Sequence, residues 1–100
     1  MNRKKPPSRA ASAHMGRVKA MACICCDLMG VRQNMPTDVH HIREHGQERN
    51  DWLTLPLCWH CHQGSEGVHG TKDYLRILKM SEFDLLACVI ERMASTRVAA

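Results

Sequence analysis

Two Cys-x-x-Cys pairs, Cys23/Cys26 and Cys58/Cys61, constrain this chain more than any other feature. Each turn points two sulfurs at one spot, and two such turns supply the four thiolates of a tetrahedral zinc site, with Zn–S of about 2.3 Å. Thirty-one residues separate the pairs, so a folded insert must leave the site and return the chain to it. Reduced core cysteines without an ion would not explain the repeated spacing. Nor would they explain how one hundred residues with four aromatic rings (Trp52, Trp59, Tyr74 and Phe83) hold together. A domain this small buries little apolar surface and needs a staple. Structural Zn2+ on Cys23, Cys26, Cys58 and Cys61 is therefore expected. Cys25 could replace Cys23 only with poorer spacing, and Cys88 reads as a buried helix residue. A closed four-thiolate shell has no open coordination position, so it folds the chain and catalyses nothing.

Zinc rather than disulfides follows if the compartment is reducing. No apolar core follows Arg3-Lys4-Lys5-Pro6-Pro7, as a secretory leader requires. The longest strongly apolar stretch, Leu85 to Ile90, falls far short of the roughly 20 residues of a membrane span. The expectation is a cytoplasmic protein with no membrane partner. Its charge of +4 is uneven. Residues 1–20 hold six basic side chains (Arg3, Lys4, Lys5, Arg9, Arg17 and Lys19) and no acid, while the other eighty hold eight basic and ten acidic ones. A basic arm on a near-neutral domain suits nucleic-acid binding, because each phosphate neutralised releases counterions. A merely solubilising tail fits the charge equally well.

Residues 1–7 read as a disordered arm, and 8–97 as one domain. Ser8 is placed to cap a helix running to about Met21, with Ala11, Met15, Val18 and Ala22 on one face. Cys23 to Cys26 form a tight knuckle and Gly30 to Pro36 a loop. Thr37 to Ile42 reads as a strand, Glu44 to Asp51 as a polar turn around Gly46, and Trp52 to Leu57 as a second strand. Pro56 in that strand requires an edge or strand-end position. A helical turn carrying Cys61 and His62 follows, then a loop with Gly64, Gly67 and Gly70. Thr71 caps a helix to about Lys79, and Ser81 with Asp84 starts a last one. The stripe Phe83, Leu86, Ala87, Ile90, Met93 reads as core. Trp52 and Trp59 read as core or hairpin packing rather than base-stacking platforms. The fold class is small α+β.

The second constellation is His40, His41, His62 and His69. Successive strand residues point to opposite faces, so His40 and His41 do not easily hold one ion together. One can bind metal while the other faces a substrate. His62, just after the last cysteine, can complete an inner shell with His40, and His69, beyond Gly67, can reach back as a third ligand. Two or three neutral imidazoles keep positions open for water and a phosphate oxygen, and a free histidine near neutral pKa can take a proton from the attacking water. His60 reads as solvent-facing, and His14 and His45 carry no ligand spacing.

Val39-His40-His41-Ile42 followed by Leu57-Cys58-x-x-Cys61-His62 resembles the HNH (ββα-metal) nuclease motif set in a zinc-binding frame. More narrowly, the run from Ala13-His14-Met15 through both cysteine pairs to His62-x-Gly64 and Gly67-Val68-His69 resembles the phage-encoded Ref-type proteins, RecA-dependent endonucleases linked to recombination. The likeness spans about residues 8–94. It implies a zinc-stabilised HNH/ββα-metal fold holding one divalent ion against a DNA phosphate. His40 and His62 would be metal ligands, His69 a further one, and His41 the general base. The ion would be Mg2+ in cells, although imidazoles also accept Mn2+, Ni2+ or Zn2+. The resemblance further implies DNA and a RecA filament as partners, the basic arm as the contact, and a phage gene acting in a bacterial cytoplasm. Oligomeric state is left open. One departure stands out. The middle asparagine of the motif falls here at Leu53, with Asn50 and Asp51 as the nearby replacements. The alternative from another class is a non-catalytic zinc module that binds nucleic acid or a protein, its histidines holding no ion.

Overall fold

A computed structural model describes residues 6–43 and 46–99, the last four by their backbone. Arg3, Lys4 and Lys5, most of the expected disordered arm, and His45 lie outside the described residues. Among the described residues, five helices and two strands run in the order α1 (Arg9–Lys19), α2 (Ile24–Met29), β1 (Thr37–His41), β2 (Thr54–Cys58), α3 (Trp59–His62), α4 (Asp73–Leu78) and α5 (Glu82–Ala99). This is the small α+β arrangement expected.

Ser8 caps α1 by accepting the Ala11 N–H at 3.0 Å. The helix buries Ala11 and Val18. It stops at Lys19, before the expected end, so Ala22 lies outside it and is exposed. The first cysteine knuckle does not remain a turn. Cys23 acts as an N-cap, its Sγ accepting the Cys26 N–H at 3.4 Å, and the chain continues as α2 to a left-handed Gly30 with φ of 71°. Gln33 then fastens the following loop. Its Oε1 accepts the Cys23 N–H at 2.7 Å and its Nε2 donates to Thr37 Oγ1 at 2.8 Å, while the Thr37 hydroxyl donates to the Met21 carbonyl at 2.9 Å.

The strands pair antiparallel, with Thr37 opposite Cys58, His40 opposite Leu55 and His41 opposite Thr54. That register returns the long insert to its starting point and brings the second cysteine pair beside the first. Pro56 sits in mid-strand opposite Val39, which is tolerated because both strands of a two-stranded sheet are edges. Every residue of β2 is buried, since α1, α2, α3 and α5 all pack against it. The core gathers around the cysteines, with Ile24, Ile42, Leu55, Leu57, Val68, Leu85, Leu86 and Val89.

Two expectations about burial are corrected. The buried face of α5 is Leu85, Leu86 and Val89, with Cys88 and Met93 partly buried, whereas Phe83, Ala87 and Ile90 face solvent. The helix carries two apolar stripes about one residue apart in phase, and periodicity alone does not choose between them. Its start is fixed by a reciprocal cap: the Ser81 N–H donates to Asp84 Oδ2 at 2.8 Å and the Asp84 N–H to Ser81 Oγ at 3.1 Å. From that start, docking on β2 and α2 selects the other stripe. Arg92 paired with Asp27 then ties α5 to α2. The tryptophans are likewise not core. Trp52 and Trp59 are 48% and 46% exposed, because Trp52 precedes β2 and Trp59 opens α3 on the side away from the inward Cys61. Among the described residues no helix is long and apolar enough to cross a membrane.

Candidate metal centres

The four thiols of Cys23, Cys26, Cys58 and Cys61 converge in the buried core. Cys26 Sγ lies 3.7 Å from Cys58 Sγ and 3.8 Å from Cys61 Sγ. A tetrahedron with Zn–S of about 2.3 Å has edges of about 3.8 Å, so these spacings are those of a zinc tetrathiolate. Burial and the neighbouring Cys23 push the Cys26 thiol up to about 12, and a hydrogen bond with Cys61, then burial, raises Cys23 as well. Crowded thiols resist losing their protons together, and a dication at the centre reverses that balance. The donor set therefore fits Zn2+, with Cys23 in the position its spacing favours and Cys25 packed alongside in the core.

The second cluster unites His40 from β1, His62 at the end of α3 and His69 from the loop beyond, their donor atoms within 4.8 Å of one another. Ring centroids are 5.0 Å apart for His40 with either partner and 4.8 Å for His62 with His69. Strand alternation puts Asp38 on the same face as His40. There its Oδ2 meets His62 Nδ1 at 3.3 Å, leaving His62 Nε2 for the cluster. The glycine loop folds back on α3, with the Val68 N–H donating to the Cys61 carbonyl at 2.9 Å and the His69 N–H to the His62 carbonyl at 3.1 Å. A Cβ on Gly67 would lie 2.5 Å from the Cys61 carbonyl oxygen. Only glycine permits that approach, and the approach delivers His69. Burial, then the neighbouring His40 and His62, push the His69 ring below its ordinary value. Three imidazoles form a donor set suited to a borderline divalent cation.

Glu82, the first residue of α5, touches this cluster through His40, with Oε1 2.6 Å from His40 Nε2, while its oxygens are not among the donor atoms that lie within 4.8 Å of one another. That contact, chiefly, holds the Glu82 carboxyl below its usual range.

His41 points to the other face of the hairpin. Its Nε2 is 2.9 Å from Asp51 Oδ1, and Arg49 Nε is 3.9 Å from the same oxygen. Burial pushes the His41 ring down, the bond to Asp51 pulls it up, and Arg49 pushes it down again. Of the two replacements for the motif's asparagine, Asp51 reaches the histidine. Asn50 instead caps the turn, its Oδ1 accepting the Trp52 N–H at 2.9 Å. A surface depression beside this pair is lined in part by Arg43, Arg49, Asp51 and Trp52. Trp52 stacks on His14 there, with centroids 4.8 Å apart.

The basic residues of α1 divide. Arg9 and Arg17 are exposed, whereas Lys19 Nζ donates to the Thr37 carbonyl at 3.0 Å and so anchors α1 to β1. His60 is exposed, as expected. The sequence reading missed Gln33, Asp38 and Glu82. Asp38 was recoverable from two-residue alternation before His40; Glu82, forty-two residues from its partner, carried no local signal.

A hairpin and short helix presenting a tetrathiolate cluster and a three-histidine cluster define a small α+β domain with two candidate metal centres. The family model described as "Recombination enhancement, RecA-dependent nuclease" matches residues 9–94, and the chain belongs to that family. Neither the curated proteins nor the solved structures include a match to the chain.

Proposed function

We propose that this chain is a metal-dependent DNA endonuclease of the HNH (ββα-metal) type, hydrolysing or nicking phosphodiester bonds in recombination, phage-encoded and acting with a RecA filament. The observation that carries the reading is the pairing of a three-histidine cluster on one face of the hairpin with a carboxylate-oriented histidine next in sequence. A divalent cation held by His40, His62 and His69 would polarise the scissile phosphate and stabilise the leaving oxygen. His41 serves as the general base. With its Nε2–H donated to Asp51, the lone pair of the neutral ring lies on Nδ1, which accepts a proton from the attacking water. Asp51 holds that tautomer and favours the imidazolium that forms. Arg43 and Arg49 beside it, with Arg9 and Arg17 on α1, offer cations to the DNA backbone. Arg3, Lys4 and Lys5 add further positive charge for DNA. The tetrathiolate holds structural Zn2+ and takes no part in the reaction.

The test is nicking of supercoiled plasmid by the purified protein with Mg2+ or Mn2+, with and without RecA filaments, beside His41→Ala and an EDTA control. Metal-dependent nicking that disappears in His41→Ala, with zinc content and helicity intact, is expected. Equal inertness of both proteins on bare and RecA-coated DNA overturns the reading in favour of a zinc-stabilised binding module.

A further inference from the structure

We infer that Glu82 is a fourth protein ligand of the histidine site, so that the cation sits in a three-imidazole, one-carboxylate shell assembled from β1, α3, the glycine loop and α5. The inference rests on the metal-site reading above and extends it to a residue that no motif supplies. Three neutral imidazoles bring no negative charge to a partly buried dication, and such a site is stabilised by an anionic ligand. Two carboxylates touch the cluster, and they differ. Asp38 lies 3.3 Å from Nδ1 of His62, which leaves Nε2 as that ring's remaining donor atom. That is the place of an outer carboxylate that orients a ligand. Glu82 Oε1 instead lies 2.6 Å from Nε2 at the tip of the His40 ring. Ligand atoms bound tetrahedrally at about 2.0–2.2 Å from one ion lie about 3.3–3.6 Å apart, so this pair, now at hydrogen-bond distance, enters a shared shell by opening less than about 1 Å as the carboxylate turns toward His62 and His69. His40 and Glu82 are largely enclosed, with side chains 6% and 20% exposed, which favours the carboxylate facing the cluster over facing water.

The position also suits the role. Glu82 opens α5, and the cap at that end is made by Ser81 and Asp84. The carboxylate of Glu82 is thus not committed to holding the helix. A ligand there couples α5, which closes the core against β2 and α2, to the occupancy of the site. The three imidazoles, rather than the carboxylate, favour Mn2+, Co2+ or Zn2+ over Mg2+, because a nitrogen-rich shell is poorly matched to so hard an ion.

The experiment is a Co2+ titration of the zinc-loaded protein, followed through the d–d absorption of the bound ion, for wild type, Glu82→Gln, Glu82→Ala and His40→Ala. Far-ultraviolet circular dichroism and zinc content report that each variant is folded. Loss of an outer, orienting carboxylate weakens metal affinity by about 10- to 100-fold. The ligand role predicts a larger loss in Glu82→Ala, with a shifted d–d band in both Glu82 variants. A loss within that range with an unshifted band makes Glu82 an orienting group and overturns the inference, as does unchanged binding. If His40→Ala binds Co2+ as wild type does, the histidine site itself fails. If only His40→Ala loses the ion, that site stands and the Glu82 assignment alone falls.

Discussion

Replacing Asp51 with alanine tests the geometry around His41 most directly. The Asp51 carboxylate accepts from His41 Nε2 at 2.9 Å, with side chains 25% and 11% exposed respectively. A hydrogen bond to a charged group contributes about 1.5–3 kcal/mol, and partial exposure places this one toward the lower end. The bond matters most when His41 carries the proton taken from water. Its loss therefore appears as roughly a 10- to 30-fold drop in the cleavage rate, at about 1.4 kcal/mol per factor of ten. Asp51→Asn, whose amide oxygen can still accept from Nε2–H, should fall in between. The pH profile separates positioning from simple damage. Asp51 raises His41 against the lowering effects of burial and Arg49, so removing it lowers His41 further. Protonated His41 is not a base, and the acid limb of the profile should move to lower pH while the plateau falls. The assay is single-turnover nicking at saturating metal across the acid-to-neutral range. An unchanged plateau refutes the argument, and so does a lowered plateau with an unmoved acid limb.

Other expectations follow from the same contacts. Cys61→Ser should abolish stoichiometric zinc and leave the chain unfolded by circular dichroism, since a structural zinc contributes about 10–16 kcal/mol and whole domains are stable by only about 5–15 kcal/mol. Gly67→Ala, whose Cβ would press on the Cys61 carbonyl at 2.5 Å, should cost about 1–3 kcal/mol in thermal unfolding. It should also weaken Mn2+ binding, read by electron paramagnetic resonance, because His69 is pushed out of reach. On α5, Leu85→Ala should destabilise by about 2–5 kcal/mol in urea, whereas Phe83→Ser should stay within about 0.5 kcal/mol. The reverse order would restore the stripe rejected above.

Much of the chemistry was legible because it is local. Cys-x-x-Cys spacing depends on the geometry of one turn, and strand alternation between His40 and His41 depends on one pleat. Ser8, and Ser81 with Asp84, announced their helix starts because a cap needs nothing beyond its own first turn. Periodicity was weaker where two answers shared one period. The apolar positions of α5 admit two stripes, and the neighbours that bury Leu85 and Val89 are a strand and a helix distant in sequence. Trp52 and Trp59 show the same limit, since the size of a ring favours burial but its location fixes exposure.

The sequence by itself marked the four cysteines, the histidines that the fold brings together and the two strands of the hairpin, because Cys-x-x-Cys spacing and strand alternation each depend on a few residues of backbone. Tertiary structure alone decided that Asp51 rather than Asn50 holds His41, that Asp38 backs His62, and that Glu82 meets His40. Each of those contacts joins segments ten or more residues apart, and the direction of a side chain across such a gap follows from how the elements pack. No local preference records it.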